Sequence, residues 1–129
     1  MIEVLGKMET RPADDPIRGF TVGLLQKCLA KREQTEPDSW LTFHSRSLFG
    51  GALLGLKKYA AAEPLLLTGY EGMKKQEARI PALAKARLVE AAERLVKLYE
   101  TLGKEDEAAK WRKELEALRA AAKEPSPEP

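Results

Sequence analysis

Few side chains in this sequence are of types that could do chemistry: a single histidine, His44, a single cysteine, Cys28, a glycine group at Gly50, Gly51 and Gly55, and one basic run. Acid–base work needs a partner that receives or orients the proton, and His44 has no second histidine to share the task. It reads as a surface or groove residue near the start of a helix. Cys28 lies beside Leu24, Leu25 and Leu29 on an apolar stripe, which predicts a buried, inert thiol rather than a nucleophile of depressed pKa. One histidine and one cysteine in separate segments lack ligand spacing, so neither a metal nor a cofactor is expected. The glycines miss the Lys-Ser or Lys-Thr of a phosphate-cradling loop and sit inside a helical pattern, which predicts close helix packing. The basic run, Lys74, Lys75, Arg79, Lys85 and Arg87, is relieved only by Glu77 and carries no aromatic residue for base stacking. It reads as a solvated face, with weak nucleic-acid or anionic-partner binding through residues 74–87 as a lesser alternative. No catalysis is expected.

The elements that must position these residues are helices. The chain is 43% hydrophobic and 33% charged but only 6% aromatic, a balance that favours soluble helices over a β-sandwich. Its net charge of +2 gives no global field for polyanions. The apolar runs are far too short to span a bilayer, which needs roughly 20 residues, and nothing at the N-terminus has the make-up of a secretory signal. A cytoplasmic protein is expected, with no membrane partner. Residues 1–15 lack sustained periodicity and read as a disorder-prone leader; residues 123–129 read as a Pro-rich disordered tail. Between them, residues 16–122 form one domain.

Within that domain, Ile17, Phe20, Leu24, Leu25, Cys28 and Leu29 recur at helical spacing and predict a first helix from Pro16 to about Gln34, capped by Asp15. Pro37-Asp38-Ser39 restarts the chain, with Asp38 or Ser39 as cap. The second helix, to about Leu56, is apolar around much of its circumference, which predicts packing on two sides. A third runs from about Lys58 to Glu77 with Pro64 near its first turn. A fourth runs from Pro81 to Leu102 and ends at Gly103, a residue free to turn left-handed. A fifth runs from Lys104 to Ala122.

The chain also repeats itself. Phe49-Gly50-x-x-Leu53 followed by Ala62, Leu66 and Gly69 falls onto Leu95-Val96-x-x-Tyr99 followed by Ala108, Arg112 and Leu115 at one fixed offset. A second echo carries Thr21 to Leu29 onto Ala62 to Tyr70, so the first helix reads as the second half of an incomplete preceding repeat. This pattern of large, small and large residues resembles the tetratricopeptide repeat, whose small residue at the helix crossing matches Ala62 and Ala108. The period exceeds the 34-residue unit and resembles the kinesin-light-chain variety. The stretches Ser47 to Leu66 and Tyr99 to Arg112 resemble the C-terminal repeats of large bacterial, planctomycete Ser/Thr protein-kinase-like proteins. Departures are Val96 in place of a small residue, Glu105 in place of an aromatic one, and a missing proline in the second repeat. No Gly-rich loop, His-Arg-Asp or Asp-Phe-Gly of a kinase is present.

The resemblance implies an all-α, right-handed stack of about five antiparallel helices, one orphan helix and two hairpins. It implies an adaptor or scaffold that binds a protein or peptide in a concave groove. Its groove positions fall on His44, Ser47 and Gly51 in the first repeat, and on Glu90, Glu93, Arg94 and Lys97 in the second. Arg and Lys there suit a peptide carboxylate, while Glu90 and Glu93 select against the most acidic ligands. Two and a half units are few for a repeat array. An open face on the first or last helix is therefore expected, and with it an alternative function, homo-oligomerisation through an uncapped terminal helix, or membership of a longer array.

Overall fold

The computed structural model describes residues 16–123, with side chains defined over 19–121. Every regular element among them is helical: α1 Pro16–Thr35, α2 Trp40–Gly55, α3 Tyr59–Lys75, α4 Ala86–Leu102 and α5 Glu105–Lys123, with 3-10 turns at Glu77–Arg79 and Ala82–Ala84. The expected leader, the first helix's expected cap Asp15 and the tail beyond Lys123 lie outside the described residues. No described helix is long and apolar enough to cross a membrane.

Polar side chains start α2 and brace the turn before it. Ser39 Oγ accepts from the Leu41 amide at 3.2 Å, satisfying one of the free first-turn N–H groups. Thr42, fully buried, donates from its hydroxyl to the Glu36 carbonyl at 2.5 Å. The Gln76 amide, just past α3, donates to the Asp38 carbonyl at 2.6 Å and ties the far end of α3 to the same turn.

The sequence repeat is a repeat of geometry. Lys57 (φ 64) between α2 and α3 and Gly103 (φ 73) between α4 and α5 are both left-handed. The amide after each reaches back to close the helix before it, Lys58 to the Leu53 carbonyl at 2.9 Å and Lys104 to the Tyr99 carbonyl at 3.0 Å. The next helix opens alike, from Ala62 to the Lys58 carbonyl at 3.0 Å and from Ala108 to the Lys104 carbonyl at 2.9 Å. Each pair of bonds is related by the offset that carries Phe49 onto Leu95.

Packing follows the same alternation. Contact is most extensive within α2/α3 and α4/α5 and thinner across α1/α2 and α3/α4, so the chain is two hairpins with α1 laid against the first. Small residues set the hairpin crossings. Ala62 and Ala108 are fully buried, and a Cβ on Gly69 would stand 2.8 Å from the Phe43 carbonyl oxygen and 2.9 Å from the Ser47 amide. The core around them holds Leu66, Met73, Leu88, Leu95 and Leu98, all fully buried, each contributing about 1.5–3 kcal/mol.

Two expectations are corrected. α4 does not begin at Pro81 but at Ala86, after a 3-10 turn. Pro81-Ala-Leu-Ala-Lys85 has helical propensity, but Leu83 is 99% exposed and only Ala84 of this stretch packs against the core, too little apolar contact to hold it as α-helix. Cys28 is exposed, not buried. α1 turns Leu25 and Leu29 into the core and leaves Phe20 at 70% and Leu24 at 50% exposure. The apolar positions of α1 cover more than one face, and only one of them is packed.

Two stability tests follow. Gly69→Ala should cost about 1–3 kcal/mol because backbone cannot yield to the new methyl, while Gly23→Ala, with nothing within 4 Å, should be neutral or stabilising. Urea melts that rank the two variants the other way would refute the close crossing. Lys57→Gly should raise stability by up to about 1 kcal/mol and Gly103→Lys lower it by about as much, since a Cβ in the left-handed region is the difference between the turns. Equal, unchanged unfolding midpoints for both variants would count against matched turns.

Candidate functional site

Helical spacing places His44, Ser47 and Gly51 on one face of α2, and Arg87, Glu90, Arg94 and Lys97 on one face of α4. α2 and α4 touch directly, which brings these two faces together. The link is Arg94, whose Nη1 donates to Ser47 Oγ at 3.0 Å. Ser47 is fully buried, so its hydroxyl needs a partner inside the protein and finds it in the guanidinium. Gly51 leaves the slot through which the arginine passes: a Cβ there would stand 2.9 Å from both Cδ and Nε of Arg94.

Around this bridge the charges are ordered. Arg87 grips Glu90 with Nη1 on both carboxylate oxygens at 3.0 and 2.9 Å. His44 packs against Trp40 with ring centroids 6.3 Å apart. Burial, and then the nearby charges of Arg94, Arg87 and Arg32, pull its pKa from 6.5 down to about 4, so the imidazole is neutral near pH 7. Its Nδ1 is buried with no hydrogen-bond partner among the described residues, consistent with a ring that stays uncharged.

The expected groove residues divide. His44, Ser47, Gly51 and Arg94 converge, and Glu90 joins them through Arg87. Glu93 turns away to α5, where Arg119 Nη2 donates to it at 2.7 Å. Lys97 is exposed on the same helix face, one turn beyond Arg94. Both glutamates are thus held by arginines. Arg87 was missed on this face, although it was legible, because it shares the helix face of Glu90 and Arg94. Arg32 on α1, paired with Glu36, adds the smallest of the charges that act on His44, and no local spacing reveals it. Of the basic run, Arg87 pairs with Glu90 on the α2–α4 face and Lys74 with Glu77 at 3.1 Å, while Lys75, Arg79 and Lys85 are exposed.

Two tyrosines lock the elements behind the groove. Tyr99 donates to Glu63 at 2.8 Å, joining α4 to α3, and Tyr70 donates to Glu114, joining α3 to α5. Desolvation, reinforced by these carboxylates, pushes both phenol pKa values up and keeps them as donors. An open cleft of about 410 Å³ lies elsewhere, between the α1–α2 turn and the α3–α4 connection, with Glu36, Asp38, Trp40 and Arg79 on its walls. It contains none of the expected groove residues. Among the described residues no three His, Cys, Asp or Glu side chains gather as metal ligands. What the α2–α4 face offers is fixed guanidinium donors, a neutral imidazole and an indole edge, an arrangement suited to holding a ligand.

Compared with protein-family models, with curated proteins and with solved structures, the chain matches none of them.

The depressed His44 pKa has a signed consequence. Between pH 6.5 and about 4 the unfolded chain binds a proton at this residue and the folded chain does not, so stability falls as pH decreases through that window and levels off below it. The slope is at most about 1.4 kcal/mol per pH unit. His44→Gln should flatten the decline relative to wild type in urea unfolding at pH 7.5, 5.5 and 4.5. Parallel profiles for the two proteins would show that His44 titrates normally.

Proposed function

We propose that this chain is a non-catalytic, tetratricopeptide-like adaptor that acts in the cytoplasm by holding a protein or peptide segment against the α2–α4 face. The reading is supported by the matched turns of its two hairpins, by the resemblance of Phe49 to Gly69 to that repeat, and by the chemistry of the face itself. The observation that carries it is Arg94 reaching through the gap at Gly51 to a buried serine. A guanidinium held in this way gives up little further freedom when a ligand binds, and its planar fork suits a carboxylate. Arg87 and Arg119 neutralise Glu90 and Glu93, so the two glutamates repel an acidic segment less than their number suggests. His44 and Trp40 add an uncharged flank for an apolar side chain next to that carboxylate.

The test is selection from a random peptide library displayed with free C-termini, followed by calorimetric titration of the winners. Peptides with an acidic or terminal carboxylate beside an apolar residue are expected. Arg94→Glu should weaken them at least about tenfold, a loss of about 1.4 kcal/mol or more. Gly51→Leu, which closes the slot without changing charge, should weaken them in the same direction. Winners that bind both variants as well as wild type would remove the α2–α4 face from consideration.

A further inference from the structure

The open cleft of about 410 Å³ between the α1–α2 turn and the α3–α4 connection has no role in the α2–α4 reading, yet its walls are chemically selective. Trp40 lines it and is only partly buried. Asp38, exposed beside it, makes no ion pair with a described residue. Glu36 holds Arg32 at 3.2 Å through Oε1, in a solvent-exposed pair of the kind that contributes little. Gln76 uses its amide N–H on the Asp38 carbonyl at 2.6 Å, which leaves its Oε1 to accept. Arg79, on the α3–α4 side, is the one cation among the described residues that line the cleft, and it too makes no ion pair with a described residue.

The hydrogen-bond inventory separates an anion from a cation as the occupant. The start of α2 borders the cleft, but its amides are engaged: Leu41 donates to Ser39 Oγ at 3.2 Å, and Thr42 and Phe43 donate to the Ser39 carbonyl at 3.0 and 3.3 Å. The helix terminus therefore has little left to offer an anion. What the walls leave over is mostly acceptors, the Asp38 carboxylate, the second oxygen of Glu36 and Oε1 of Gln76. Two carboxylates stand against one guanidinium, and the electron-rich face of an indole attracts a cation. An arginine side chain meets all three conditions, being flat enough to lie on Trp40, positively charged, and furnished with several donors and no acceptor. Lysine meets the charge but stacks less well.

We infer that this cleft is an arginine subsite, in which the side chain of an arginine from a bound peptide segment lies on Trp40 and donates to Asp38, with Glu36 and Gln76 as further acceptors. The subsite adjoins the α2–α4 face. Trp40, His44, Ser47 and Gly51 follow one stripe of α2, and the Trp40 and His44 rings are 6.3 Å apart. Trp40 and Ser47 are separated by about 10 Å along the helix axis, a span that an extended segment covers in about three residues. The arginine thus lies about three to four positions from the carboxylate that Arg94 is proposed to hold. This spacing, unlike the subsite itself, rests on the α2–α4 reading.

Two titrations test the inference. N-acetyl-arginine amide is added to the full chain while the Trp40 indole N–H is followed by NMR, the resonance being assigned with Trp40→Phe. A saturable shift is expected, and N-acetyl-glutamate amide should give none. Asp38→Asn keeps the main-chain carbonyl that Gln76 holds and should weaken the arginine amide at least about threefold, while Arg79→Gln should tighten it about twofold. No saturable shift, an equal response to the glutamate amide, indifference to Asp38→Asn, or weaker binding in Arg79→Gln would each overturn the subsite. The second titration compares the peptides acetyl-Arg-Gly-Ser-Leu-Asp and acetyl-Ala-Gly-Ser-Leu-Asp by calorimetry. The arginine peptide should bind at least about fivefold tighter, and Asp38→Asn should remove that gain. Equal binding of the two, weakened alike by Arg94→Glu, would overturn the arginine subsite as part of a bound segment and leave the α2–α4 reading standing. An arginine gain with no response to Arg94→Glu would uphold the subsite and refute the α2–α4 reading.

Discussion

At the α2–α3 crossing a Cβ on Gly69 would stand 2.8 Å from a main-chain oxygen and 2.9 Å from a main-chain nitrogen, so two backbones meet where side chains normally keep helices apart. Much else follows from that approach. It lets Phe43 lie over Gly72 and fixes the rotation of α2 about its axis. With that rotation set, Thr42 points inward to brace the turn at Glu36, and Ser47 and Gly51 point at α4. A helix held further out would present a different face to α4, and Arg94 would have no hydroxyl to meet. The geometry of the α2–α4 face is thus a consequence of a packing constraint one helix away.

Polar groups then do in this protein what a purely apolar core cannot. Ser47 is buried and accepts from Arg94; Tyr99 and Tyr70 are buried and donate to Glu63 and Glu114. Each bond ties together helices of different hairpins, or a hairpin to its successor, and each leaves a buried group unsatisfied if one partner is lost. Leucines alone would permit the hairpins to slide over one another with small changes in energy. The directional bonds select one register, and it is the register in which His44, Ser47 and Arg94 converge.

Much of this was legible in the residues. Ser39 as a cap, Gly103 as a left-handed stop, Ala62 and Ala108 as small crossing residues, and the offset linking the two hairpins are local signals with local causes. The start of α4 was not legible, because Pro81 to Lys85 has the composition of a helix but packs on the core through Ala84 alone, with Leu83 99% exposed. The fate of Cys28 was hidden for a related reason. Apolar positions spread around α1 on more than one face, and spacing alone does not say which face the rest of the chain covers. Helical spacing aligned His44, Ser47 and Gly51 along α2 and Glu90, Arg94 and Lys97 along α4, whereas the charge that Arg32 adds from α1, the smallest of the three acting on His44, depends on tertiary structure.

His44 shows how burial and neighbouring charges set the protonation of a side chain on the α2–α4 face. General acid–base catalysis asks for a group that exchanges a proton near the working pH and has somewhere to send it. Burial and three guanidiniums remove the first condition by holding the ring neutral, and the unpartnered Nδ1 removes the second among the described residues. Burial, the larger cause, and the charges of Arg94, Arg87 and Arg32 thus hold His44 neutral beside the guanidinium that bonds Ser47.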